Sequence, residues 1–267
     1  MAIDSKIILT CEKIKKLNLL ENCNMDSLDV VEKVSEIRNY WKPTRGNVKV
    51  ILLAESHVHT TDDDFKVLSN KSILLKRLPG YPLEFVRFVY CLGSGEDELL
   101  NGNIKNNRGT RQFWKILYSC CNKIDSNSDF GPILKKTPFN ERIINKIKIL
   151  ENLRERGIWL LDSSIIGIAK SKKGVVKTRP NKGYTKKIIN ICWENYTKHL
   201  IEESKPRYII VIGKGVYGTL CDKLSEMGFS GYEGNLTVIE QPQARLEGQQ
   251  HLDNLKEIYK VCSMSFD

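Results

Sequence analysis

The chain reads as an α/β protein, a three-layer α/β/α sandwich around a central, mainly parallel four-stranded sheet. Four short apolar runs, at residues 48–54, 158–162, 208–213 and 236–240, are dominated by Val, Ile and Leu, the composition of strands buried on both faces. Long stretches of helical period separate them. Strands so far apart are joined by crossovers rather than hairpins, and crossovers make parallel pairs.

Each element follows from its own pattern. Residues 28–41 precede the first strand with helical spacing. After it, Phe113, Ile116, Leu117 and Cys120 make one apolar stripe, and Ile143, Ile147, Leu150 and Leu153 make a second that stops at Gly157, where a glycine is suited to end a helix. Ile189, Cys192, Tyr196 and Leu200 form a third stripe, and Leu220, Leu224 and Met227 before Gly228 form a fourth. A final helix carries Leu252, Leu255, Ile258 and Cys262. The rhythm breaks over 60–108, where Pro79-Gly80-Tyr81-Pro82, Gly93-Ser94-Gly95 and a polar run at 101–107 read as an insertion or lid. The 267 residues fit one domain, with an N-terminal helical segment at 1–45, the lid at 60–108 and a basic loop at 169–187.

Charge is concentrated in that loop. Lys and Arg outnumber Asp and Glu by 42 to 32; Lys170, Lys172, Lys173, Lys177, Arg179, Lys182, Lys186 and Lys187 sit together with no acid among them. Clustered basic side chains displace counterions from phosphates, so the loop is expected to bind nucleic acid. The eight cysteines show no C-x-x-C pair and are read as buried, reduced thiols of a soluble cytoplasmic protein. No apolar stretch reaches the roughly 20 residues of a membrane span, and the first residues lack a secretory pattern.

The chemistry-bearing stretch is Ala54-Glu55-Ser56-His57-Val58-His59, just past the first strand, where open α/β sheets bind ligands. It admits two readings. His57 and His59 followed by Asp62, Asp63 and Asp64 suggest a metal-dependent hydrolase, although only His199 and His251 remain elsewhere as imidazole ligands.

The second reading takes several strand ends together. Ala54-Glu55-Ser56-His57 stands where a Gly-Gln-Asp-Pro or Gly-Glu-Ala-Pro turn would stand, Leu160-Leu161-Asp162-Ser163 where a leucine run ends in Asn, and Gln241-Pro242-Gln243 where His-Pro-Ser would stand. The segments 109–117 and Cys192-Trp193-Glu194-Asn195-Tyr196-Thr197 look like two supporting helices. In this order and spacing the chain resembles the uracil-DNA glycosylase superfamily over roughly residues 45–260.

The resemblance implies a DNA glycosylase that flips a base out of duplex DNA and hydrolyses its N-glycosidic bond. It would act as a monomer without metal or cofactor; the cysteines do not reproduce the pairs of the iron-sulfur branch. Glu55 would stabilise the sugar cation and activate water, aided by Ser56, His57 or His59. Asp162 replaces an Asn that reads uracil; a carboxylate only accepts hydrogen bonds, which favours the amine of cytosine or a cytosine derivative, such as the modified bases of viral DNA. Gln241 replaces the His that donates to the leaving base, and with Gln243 would flank it. Phe88 and Tyr90, sharing a face if 85–90 is extended, would stack on the base. Leu246 would wedge into the duplex, while Arg245, Lys214 and the basic loop contact phosphates. Loss of the His leaves the alternative of an inactive DNA-binding or damage-sensing module.

Overall fold

A computed structural model describes residues 4–18, 23–43, 47–70, 74, 76–172, 175–176, 182–241 and 248–264. In chain order these run through helix α1 (Ser5–Asn18), strand β1 (Cys23–Met25), α2 (Leu28–Tyr40), β2 (Val50–Ala54) and the single turn α3 (Asp62–Phe65). Next come α4 (Arg111–Ser119), α5 (Phe139–Glu155), β3 (Ile158–Asp162), β4 (Ile168–Lys172) and β5 (Val175–Val176). The remainder is α6 (Lys182–Cys192), a π-helical turn (Trp193–Thr197), α7 (Lys198–Ser204), β6 (Tyr208–Ile212), α8 (Lys214–Glu226), β7 (Leu236–Ile239) and α9 (Gly248–Met264). Among the described residues no helix is long and apolar enough to cross a membrane.

Where the sequence suggests one domain with an insertion, the contacts group the chain into two interleaved units, Met1–Tyr40, Glu55–Asn107 and Asp162–Glu203 in one, Trp41–Ala54, Arg108–Leu161 and Ser204–Asp267 in the other. The chain passes from one to the other at the tips of β2 and β3.

The second unit holds the expected four-stranded parallel sheet, ordered β3-β2-β6-β7. Ile51 pairs with Ile209, and Ile209 in turn with Leu236. Every residue of β2 and β3 is buried, so both faces of the inner sheet are covered, as their unbroken apolar composition requires. β7, at the edge, exposes Val238. Helix α8 packs on β6 and β7, and α4 packs against α5 and α9. The stop read at Gly157 is a left-handed residue with φ +77°, a conformation without Cβ penalty only for glycine.

The first unit builds a smaller sheet that periodicity did not reveal: β1 and β4 are antiparallel, with Cys23 opposite Lys170 and Met25 opposite Ile168, and β5 pairs antiparallel with the other edge of β4. The basic segment 169–187 is therefore not one loop; Lys170 and Lys172 lie in β4 and Lys182 opens α6. A three-residue strand is too short to show a period, and the lysines masked its partner. The core under this sheet contains Ile7, Ile14, Val31, Ile165, Ile188 and Tyr196.

The described residues of 60–108, expected as a lid, include a packed irregular stretch. Tyr81 donates its hydroxyl hydrogen to Tyr90 O at 2.8 Å and accepts from Leu92 N at 3.0 Å, and Phe85, Phe88, Tyr90 and Leu99 are all buried. Five cysteines are buried as well, Cys23, Cys91, Cys120, Cys192 and Cys262, and burial pushes the Cys192 thiol up to about 12, which suits an inert core residue.

Candidate functional site

The site lies in the first unit, on the turn that leaves β2. Glu55 is half-buried and Ser56 exposed. The Glu55 carbonyl accepts hydrogen bonds from Ser164 N at 2.8 Å and Ser163 Oγ at 2.9 Å, so the segments following β2 and β3 are held side by side and bring Glu55 next to the Asp162 segment.

The Asp162 carboxylate turns back under this loop. Its Oδ2 accepts from both the backbone N and the Nδ1 of His57, each at 3.0 Å. The other ring nitrogen, Nε2, donates to Asp26 Oδ2 at 2.7 Å. Asp26, on the short link between β1 and α2, also accepts from His59 Nδ1 at 2.9 Å, Thr60 N at 2.8 Å and Gly167 N at 2.6 Å. One carboxylate thus ties the loop after β2 to the stretch before β4. Gly167 permits this approach: a Cβ there would lie 2.7 Å from Asp26 Oδ2 and 2.8 Å from the His59 backbone.

A carboxylate only accepts, so an imidazole held between two of them donates from both nitrogens and carries a positive charge. The side chains of His57 and Asp26 are both fully shielded from solvent. Burial alone would lower the His57 pKa, but the hydrogen bonds and charges of Asp162 and Asp26 overcome it and raise it to about 9. Burial would raise the Asp26 pKa, and His57, His59 and Thr60 together bring it below its ordinary value.

These contacts correct two expectations. His57 is a charged strut with both nitrogens engaged, leaving no lone pair for a metal and no exposed proton to transfer, and His59 is bonded to the same aspartate. Among the described residues no group of three or more His, Cys, Asp or Glu is arranged to hold a metal ion. Asp162 is also not wholly given to a ligand, since one oxygen belongs to His57. Its Oδ1 has no hydrogen bond among the described residues, and the side chain lines a small cavity together with Phe88, Arg38, Ser35 and Tyr196. The void is large enough for one water molecule.

Phe88 and Tyr90 do touch, with ring centroids 5.4 Å apart, but the segment turns rather than extends there. Phe88 reaches the cavity and packs at 6.0 Å from the His57 ring. Tyr90 is a core residue whose carbonyl is taken by Tyr81.

Most of the other expected residues belong to the second unit or fall outside the described residues. Gln241 and Lys214 belong to the second unit. The Gln241 side chain lies against Gly213, where φ is +112° and an added Cβ would come within 2.6 Å of it. Lys214 is ion-paired with Glu240 on the surface. Lys182 is exposed. The side chains of Lys170 and Lys172 lie outside the described residues, as do Lys173, Lys177, Arg179, Gln243, Arg245 and Leu246 entirely.

Asp26, the hub of the network, escaped sequence reading. It is a single acid just ahead of a helix, where a capping role is the ordinary one. Arg38, Ser35 and Tyr196 escaped because they occupy positions of amphipathic helices that read as core or surface.

No protein-family model matches this chain, and no curated protein sequence matches it.

Proposed function

We propose that the chain is a DNA glycosylase that extrudes a base, a modified cytosine, and hydrolyses its N-glycosidic bond to leave an abasic site. The observation that carries this reading is the Asp162 side chain. On the segment bound to the Glu55 carbonyl, it carries an oxygen with no hydrogen bond among the described residues and shares a cavity with Phe88. In this reading Glu55 serves the sugar and Asp162 the base.

In the reaction the C1′–N bond breaks and its electron pair leaves with the base. A water oxygen bonds to C1′ as Glu55 takes the water proton, which then passes to the departing base; the products are an abasic sugar and a neutral base. A carboxylate in this position opposes the positive charge developing on the sugar. Asp162 Oδ1 accepts from an exocyclic amine and repels the O4 of uracil. The basic residues of 169–187 supply phosphate contacts.

The test is incubation of the protein with duplexes carrying uracil, cytosine, hydroxymethylcytosine or glucosylated hydroxymethylcytosine, followed by detection of abasic sites. Release from a cytosine derivative, undiminished by EDTA, is the expected result. No product from any duplex would overturn the proposal.

A further inference from the structure

The cavity beside Asp162 has a second pole. Arg38 on α2 is 4% exposed, and its guanidinium donates to Ser35 Oγ at 2.7 Å and to Tyr196 Oη at 2.6 Å, while lying 5.2 Å from the Tyr196 ring centroid. Ser35 Oγ and Tyr196 Oη are in turn 3.2 Å apart. Both hydroxyls receive a hydrogen bond from the guanidinium and one of them gives its hydrogen to the other, so the pair keeps one hydroxyl hydrogen to give. Tyr196 stands on the π-helical turn, a local distortion often found at functional positions. The next residue, Thr197, directs its Oγ1 toward the Asp162 carbonyl at 3.5 Å.

Arg38, Ser35 and Tyr196 therefore line the cavity with a hydroxyl donor backed by a fixed positive charge, and it is also lined by Asp162, whose Oδ1 has no hydrogen bond among the described residues. Aliphatic side chains such as Ile165, and the ring of Phe88, complete the lining. An aspartate and a hydroxyl donor lining one space fit a planar molecule that carries an amine and a carbonyl on one edge.

Resting on the glycosylase reading, we propose that Arg38, Ser35 and Tyr196 form a donor pole that grips the ring carbonyl of an amino-bearing pyrimidine whose amine is held by Asp162. Arg38 then supplies the positive charge that a departing base needs and that Gln241, a neutral amide, lacks. When the C1′–N bond breaks, negative charge spreads onto the base carbonyl, and hydrogen bonds backed by a guanidinium strengthen with it. No proton changes hands at this pole. The void has room for only about one water molecule, so the base parts the aliphatic wall as it docks.

The experiment measures binding of free cytosine, uracil and 4-aminopyrimidine to the full chain by ligand-observed NMR. 4-Aminopyrimidine keeps the amine and lacks the carbonyl. The wild-type protein is expected to bind cytosine most tightly, with Tyr196→Phe weakening cytosine about tenfold and 4-aminopyrimidine little. Ser35→Ala, a smaller change, should show the same selectivity, and thermal melts establish that both variants fold. Equal weakening of both amines would make the pole a packing element and overturn the proposal. So would the absence of binding by any base, the cavity then holding a structural water only. Because no bond is cleaved, the two proposals fail separately: abasic product without this selectivity sinks the donor pole alone, and the selectivity without product sinks the glycosylase alone.

Discussion

His57 gives Asp162 two hydrogen bonds at once, its backbone N and its Nδ1 both ending 3.0 Å from the same carboxylate oxygen. Asp162 is divided by this arrangement. One oxygen fixes the loop that carries Glu55, and the other is left on a side chain that lines the cavity. In the proposed reading, structural and recognition roles fall to the two oxygens of one carboxylate.

Asp162→Asn should exploit that division. An amide can keep its oxygen on His57 and turn its NH2 toward the cavity, converting an acceptor into a donor. Discrimination should move from cytosine-type toward uracil-type bases by roughly 10- to 100-fold, the range of one well-made base contact. Parallel abasic-site assays on uracil and cytosine-derivative duplexes read this out; an unchanged preference would separate Asp162 from base reading.

Replacing the strut is expected to cost stability. His57→Ala leaves the Asp26 and Asp162 carboxylates without their shared cation, and breaking a buried ion pair from one side costs about 3–5 kcal/mol. Urea denaturation of wild type and variant measures it. A loss below 1 kcal/mol would place these charges in contact with solvent.

The same network sets a pH dependence. A histidine whose folded pKa is raised stabilises fully below its unfolded value of 6.5 and loses that contribution as pH climbs through about 9. Asp26, lowered in the folded state, contributes above its unfolded value of 3.8 and loses its share as pH falls further. The melting temperature should therefore decline between pH 6.5 and 9, and His57→Gln should flatten that decline. Equal slopes for the two proteins would contradict the charged state of His57.

Two glycines offer a matched pair. Gly167→Ala places a methyl against Asp26 and the His59 backbone, and overpacking of this kind costs about 1–3 kcal/mol. Gly218, within α8, has nothing within 4 Å of an added Cβ, and the same change there should stabilise by about 0.5–1 kcal/mol, the helical advantage of Ala over Gly. Thermal melts of the two variants should shift in opposite directions.

Glu55→Gln should lower abasic-site formation by about 10²- to 10⁴-fold, the usual contribution of a general base. DNA binding should persist, since a carboxylate is removed near a polyanion. Electrophoretic mobility shifts alongside the cleavage assay distinguish the two effects. Retained cleavage would remove Glu55 from the chemistry.

The parallel sheet was legible because its strands are buried on both faces: Val50–Ala54, Ile158–Asp162, Tyr208–Ile212 and Leu236–Ile239 stand out as apolar runs whose residues satisfy their environment one at a time. Gly157 announced its helix end for the same local reason. The stretch 54–59 and Asp162 were visible as polar groups at strand tips. What they do there depended on Asp26, more than 30 positions from His57 and more than 130 from Asp162. No local pattern marks one aspartate as the partner of two distant histidines. Likewise β1 gains its identity only from pairing with β4, and Arg38, Ser35 and Tyr196 meet only when α2 packs beside the π-helical turn. Apolar burial is an additive property of neighbours in sequence, so composition reveals it. Pairing of buried charges is a property of residues brought together by the fold, and only the tertiary structure decides it.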